Sequence, residues 1–184
     1  MGFNGELINV KRKNKNLKYL TMSAVFAAMI CVVTAFVHIP THQGYIHVGD
    51  GIIFIASSVL PAPYSMCAAA IGAGMSDYLS GFAVWVLPTM IIKSMMSAVF
   101  TTSCSKIVCK RNLLALIPAS AICVVGYYLF GVIISVLSGS VLSAALLAAL
   151  ADVPANLIQV TASAGLFAAL GTAMDKSGFR RIYE

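Results

Sequence analysis

Residues 106–138 read KIVCKRNLLALIPASAICVVGYYLFGVIISVLS: three basic side chains, then 27 positions without a charge. As a helix rising 1.5 Å per residue, such a run is longer than the roughly 30 Å hydrocarbon core of a bilayer. It reads as a membrane span entered from a basic loop. The whole chain has the same character. It is 60% hydrophobic and 10% charged over 184 residues, with mean hydropathy +0.92. A soluble domain carries about 25% charged residues, and a globule of this composition would expose apolar patches far above the few hundred Å² that water tolerates. Lipid is therefore the solvent.

Working outward from that stretch, apolar segments fall at 18–37, 48–61, 64–80, 85–106, 112–138 and 153–174. The second is short for a span, and Leu60-Pro61-Ala62-Pro63 separates it sharply from the third. The run 140–151 is apolar but too short to cross, so it reads as an external half-helix or an extension of the fifth span.

Charge sorting sets the topology. Eleven of the twelve Lys and Arg residues lie in three clusters: Lys11, Arg12, Lys13, Lys15 and Lys18; Lys106, Lys110 and Arg111; Lys176, Arg180 and Arg181. This distribution is that of cytoplasmic loops under the positive-inside rule, not of a nucleic-acid-binding face. Six crossings put all three clusters on one side, whereas a seventh would put the last one outside.

The sequence thus predicts an all-α membrane protein with six transmembrane helices and cytoplasmic N- and C-termini. Residues 1–17 form a basic cytoplasmic tail, 18–174 the six-helix domain and 175–184 a basic C-terminal tail. Asp50, Asp77 and Asp152 then lie toward the outer side, while Glu6, Asp175 and Glu184 lie in the tails. The first apolar run lacks a convincing cleavage site and reads as a full span. No soluble domain or nucleotide-binding loop is evident, so no ATP hydrolysis and no cofactor are expected. The five cysteines show no metal-ligand spacing and read as small buried hydrophobes.

Lys93 is the one basic residue outside the clusters, about nine positions into the fourth segment. An ammonium within the bilayer costs at least ~2.5 kcal/mol on insertion scales and needs water or a partner. Either it pairs structurally with Asp77, or it contacts a polar substrate in a pocket. The stretch Thr41-His42-Gln43-Gly44-Tyr45-Ile46-His47-Val48-Gly49-Asp50-Gly51 is polar and glycine-rich, and Asp50 is placed to cap the second helix. His42 and His47 have no supporting carboxylate or cysteine spacing, so no metal is expected. Asp152-Val153-Pro154 reads as a helix start, with Asn156 and Gln159 on one face needing polar partners. Tyr45, Tyr78 and Trp85 form an interfacial belt or a stacking surface. Ala24 and Ala28 make a small-x-x-x-small pair that permits close helix approach.

Together these features resemble the substrate-binding S component of energy-coupling factor (ECF) vitamin transporters. The resemblance rests on six spans in a short chain and the Ala24/Ala28 pair. It rests also on Tyr45-Ile46-His47-Val48-Gly49-Asp50, on Gly72-Ala73-Gly74-Met75-Ser76-Asp77-Tyr78-Leu79-Ser80-Gly81, on Thr89-Met90-Ile91-Ile92-Lys93, and on Val153-Pro154-Ala155-Asn156-Leu157-Ile158-Gln159. It is nearest the branch with pyridoxine-, hydroxymethylpyrimidine- and riboflavin-type members, although Pro61-Ala62-Pro63 is a more broken turn than that branch leads one to expect.

The resemblance implies capture of a water-soluble vitamin or precursor in an outward-facing pocket lidded by the loop after the first helix. His47, Asp50, Asp77, Tyr78, Lys93, Asn156 and Gln159 are the implied substrate-binding candidates. A membrane coupling subunit, which would pack against Ala24 and Ala28, and two cytoplasmic ATPases are the implied partners. Two other classes compete: a small intramembrane enzyme using Asp77 and Lys93 as an acid–base pair, and a self-sufficient secondary transporter or small channel. The first lacks a histidine–carboxylate arrangement, and the second lacks an inverted repeat.

Overall fold

The computed structural model describes residues 2–40 and 45–179. Thr41, His42, Gln43 and Gly44 of the loop, and Arg180, Arg181 and Glu184 of the C-terminal tail, lie outside the described residues. Seven α-helices and one short hairpin follow in order: α1 (Gly2–Phe36), β1 (His38–Pro40), β2 (Tyr45–His47), α2 (Gly49–Val59), α3 (Ala62–Leu79), a 3-10 turn (Ala83–Trp85), α4 (Val86–Ala98), α5 (Lys110–Leu137), α6 (Leu142–Ala151) and α7 (Val153–Lys176).

Helix α5 shows how this sequence folds in an apolar solvent. Its buried positions are small or polar (Asn112, Ala115, Ala119, Cys123, Gly131), while Leu113, Leu114, Ile117, Val125, Leu129 and Ile133 face outward. Small residues inside allow close helix approach, and large apolar ones outside have no reason to hide from lipid. Helix α1 buries Ser23, Phe26, Ile30 and Thr34 at helical spacing and lies against α3. At their contact, a Cβ on Gly72 would come 2.5 Å from the Ala27 carbonyl oxygen.

Helix α2 is the centre of the bundle. Ten of its eleven residues are buried, and α1, α3, α4 and α7 all pack against it. A helix apolar on every side belongs in the interior, so α2 can be about 16 Å long without facing lipid. Helix α3 starts with Pro63 in its first turn, where the missing N–H costs nothing.

One end of the bundle gathers the basic clusters. Tyr19, next to Lys18, packs at a tilt against Tyr64 at the start of α3. The Ser97 hydroxyl near the end of α4 donates to Ser65 Oγ and accepts from Ser57 Oγ of α2. Asp175 near the end of α7 accepts from the Ile107 and Val108 backbone N–H groups at 2.8 and 3.0 Å, bringing Lys176 beside the Lys106 cluster. The hairpin and the starts of α2, α4 and α7 lie at the opposite end.

Several expectations are corrected. The fourth apolar segment does not continue to residue 106: α4 stops at Ala98, and 99–109 is irregular. Hydroxyl side chains compete for the backbone there, and the Asn112 amide donates to the Thr101 and Ile107 carbonyls and accepts the Thr101 N–H. Cys104 and Cys109 form a disulfide in this loop, rather than serving as buried hydrophobes. The loop after α1 contains an antiparallel hairpin pairing His38 with His47. Of the two readings of 140–151 the short separate helix is the one seen: α6 turns back along α5 at Gly139, whose φ of +95° suits glycine. Helix α1 extends back through the basic tail to Gly2. Among the described residues, three helical stretches can cross a membrane by length and composition: Asn14–Phe36, Lys110–Leu137 and Leu142–Lys176.

Candidate functional site

At the hairpin end a cavity with an empty volume of about 620 Å³, counting its open mouth, lies between β2, α3, α4, α5 and α7. Strand β2 contributes Tyr45, Ile46 and His47; the end of α3 gives Asp77, and the following turn gives Phe82 and Trp85. Thr89 on α4, Tyr127 on α5, and Asp152, Ala155, Asn156 and Gln159 at the start of α7 close the other walls. Pro154 in the first turn of α7 fixes its start, and the i, i+3 spacing turns Asn156 and Gln159 to the same wall.

Strand β2 forms the cover. The Tyr45 ring has its centroid 4.7 Å from His38, 5.6 Å from His47 and 5.3 Å from Phe82. Its hydroxyl donates to Asp77 Oδ1 at 2.5 Å. Burial first, and the Asp77 carboxylate second, push the Tyr45 phenol up, so it stays a donor. His47 Nδ1 accepts the Gly49 N–H at 3.1 Å, which requires an imidazole unprotonated at that nitrogen. Burial pushes His47 down to about 4, opposed by Asp50 and reinforced by Lys93. Gly49 allows this turn, because a Cβ there would collide with Thr34 Oγ1.

Beneath the cavity floor lies an ion pair. Lys93 Nζ is 2.7 Å from Asp50 Oδ1, and both side chains are fully buried. The ammonium also donates to Cys123 Sγ at 3.7 Å and sits 5.0 Å from the Tyr127 ring centroid. Gln159 Nε2 donates to Asp50 Oδ2 at 2.9 Å. A carboxylate only accepts, so Asp50 fixes the amide's orientation and leaves the Gln159 carbonyl oxygen for other donors. Above the pair, the Trp85 and Tyr127 rings meet at a tilt with centroids 5.7 Å apart, and the Tyr127 hydroxyl is 3.2 Å from Thr89 Oγ1.

His47, Asp77, Asn156 and Gln159 line this cavity. Asp50 and Lys93 lie behind it, bound to each other: of the two readings of Lys93 the structure shows a buried pair, with Asp50 rather than Asp77 as the partner, and Lys93 does not line the cavity. Asp77 and Lys93 are therefore not each other's partners, as the acid–base reading had them. Asp50 does not cap α2: the cap position is Val48, and no side chain bonds there. Tyr78 is 64% exposed and points away from the cavity, being one residue, or 100°, round the helix from Asp77. Tyr45 and Trp85 line the cavity. Ala24 and Ala28 are exposed on α1.

The sequence reading missed Tyr127 and Phe82. Tyr127 carried a usable signal, since a tyrosine within an apolar span must find a partner for its hydroxyl.

The site offers hydrogen-bonding groups and aromatic walls around a non-covalent binding volume. No curated protein matches the chain. A family model described as ECF-type riboflavin transporter, S component, matches residues 14–176. The chain belongs to that family, whose members are substrate-binding membrane subunits of vitamin transporters rather than enzymes.

Proposed function

We propose that this chain sits in a bacterial plasma membrane, crosses it six times with both termini in the cytoplasm, and captures a water-soluble, vitamin-like heteroaromatic from outside. Residues 1–17 and 175–184 would be the cytoplasmic tails flanking the 18–174 membrane domain. The ligand belongs to the pyridoxine, hydroxymethylpyrimidine, riboflavin or queuosine-precursor class. His47, Asp77, Asn156 and Gln159 contact it, while Asp50 and Lys93 hold Gln159 and Tyr127 in position. A membrane coupling subunit, docking on Ala24 and Ala28, and two cytoplasmic ATPases drive release inside.

The observation that carries this reading is the cavity at the end of the bundle opposite Lys18, Lys106, Lys110, Arg111 and Lys176. Under the positive-inside rule that end faces out. Concave, aromatic-walled sites with a few convergent polar groups suit small ligands.

Reconstitution tests the proposal. The purified chain in liposomes should bind its ligand without concentrating it, and accumulation should require the coupling module and ATP. Accumulation by the purified chain alone would overturn the proposal in favour of a self-sufficient transporter.

A further inference from the structure

The loop joining α4 to α5 carries two half-buried cysteines at the end of the bundle that gathers the basic clusters. Cys104 and Cys109 are joined there as a disulfide, with Cα atoms 6.4 Å apart. Ser103, Ser105, Lys106, Lys110 and Arg111 are exposed around them, and Cys109 stands at the N-terminus of α5. A partly exposed, electropositive setting at a helix N-terminus makes cysteines reactive rather than inert. The disulfide is not what holds this loop. The Asn112 side chain makes three hydrogen bonds to its backbone, Asp175 accepts two of its N–H groups, and Ile107 is fully buried. The bond can therefore open while the bundle stays folded.

Under the topology proposed above, this loop faces the cytoplasm, where disulfides are rare and mostly serve redox sensing or catalysis. We infer that Cys104 and Cys109 are a reversible dithiol–disulfide couple, a modification site for small anionic disulfides of the glutathione type that tightens or loosens the loop against the end of α7. The inference rests on that topology. Lys106, Lys110 and Arg111 draw an anionic disulfide toward the pair. One cysteine thiolate attacks a sulfur of the incoming disulfide, forms a mixed disulfide and expels a first small thiolate. The other cysteine thiolate attacks the protein sulfur of that mixed disulfide, closes the Cys104–Cys109 bond and expels the second. Two electrons pass to the small disulfide, which leaves as two thiols carrying the two cysteine protons. Excess small thiol runs the same steps backward. Opening the bond releases the ring that includes Ile107 and Val108, whose successive N–H groups bind Asp175.

The test equilibrates the full-length protein in nanodiscs with reduced and oxidised glutathione, from an excess of one to an excess of the other. The samples are then alkylated, denatured and digested with trypsin. Trypsin cuts after Lys106, between the two cysteines, so the disulfide leaves peptides 94–106 and 107–110 joined and the dithiol leaves each alkylated. The pair should pass reversibly between these forms across the series. Hydrogen exchange at Ile107 and Val108 should be about tenfold or more faster in the dithiol form, because opening the ring returns chain entropy to the loop. Cys104→Ser should match the dithiol form in either buffer. After reduction with dithiothreitol, a membrane-impermeant maleimide should label the pair in inside-out vesicles and not in intact cells.

A pair that stays joined in excess reduced glutathione, or never joins in excess oxidised glutathione, overturns the inference and leaves the proposed topology and ligand capture standing. Equal exchange in the two forms does the same. Labelling from outside intact cells overturns the topology and the inference with it.

Discussion

The Lys93 ammonium reaches Asp50 inside a bundle where neither charge meets water. Removing one partner leaves the other buried and unpaired, which costs about 3–5 kcal/mol. Lys93→Met should therefore lower the apparent melting temperature in detergent sharply, and Asp50→Asn in the same background should restore much of it. A Lys93→Met protein that melts with the wild type would mean that the pair does not hold the floor. His47 makes a prediction of the opposite polarity to a usual paired histidine. Its folded value, about 4, lies below the ordinary value of 6.5, so protonation favours the unfolded hairpin. Stability is fully present above about pH 6.5 and is lost as pH falls toward 4, by about 3 kcal/mol when the loss is complete. Protonating Nδ1 also removes the acceptor for the Gly49 N–H. Hydrogen exchange of residues 45–49 across that window should show the hairpin loosening, and His47→Gln should flatten the response.

At the scale of elements, glycines set how close the helices come. A Cβ on Gly72 would press on the Ala27 backbone of α1, which cannot swing aside as a side chain can. Gly72→Ala should cost about 1–3 kcal/mol by overpacking. Gly165 in α7 has nothing within 4 Å of its Cβ position, so Gly165→Ala should be neutral or stabilise by up to about 1 kcal/mol. Equal melting shifts for the two variants would refute the assignment of Gly72 as a contact point. Elements of this kind were legible where periodicity or hydropathy carried them: α5 and α7 begin and end within two residues of the apolar runs. The end of α4 was not legible, because Asn112 and Asp175, which hold the loop at 99–109, act from other helices. The hairpin was hidden too, since strands of three residues carry almost no alternation to read. In the site, Asn156 and Gln159 could be placed from i, i+3 spacing alone. The partner of Lys93 could not: Asp50 and Asp77 are both carboxylates in the half of the bundle away from the basic clusters, and only the central position of α2 decides between them.

The whole molecule presents two surfaces to which the proposed function gives different roles. Its hairpin end encloses the cavity, and its flank along α1 is open: Ala24 and Ala28 are exposed, with Val25, Met29 and Val32 beside them. The buried face of the same helix, Ser23, Phe26, Ile30 and Thr34, holds the bundle. Since the alanines contact lipid or a partner rather than the core, enlarging them should not disturb folding. It should disturb a close helix-to-helix dock, because small residues are what let two backbones approach in a membrane. Ala24→Phe and Ala28→Phe should each keep ligand affinity within about twofold, as expected for a site with no shared contacts. Each should also lose co-purification with the co-expressed coupling subunit and, with it, ATP-dependent uptake. Retention of the complex at wild-type yield would discard α1 as the docking face, whereas loss of ligand binding along with the complex would show that the flank and the cavity are one structural unit.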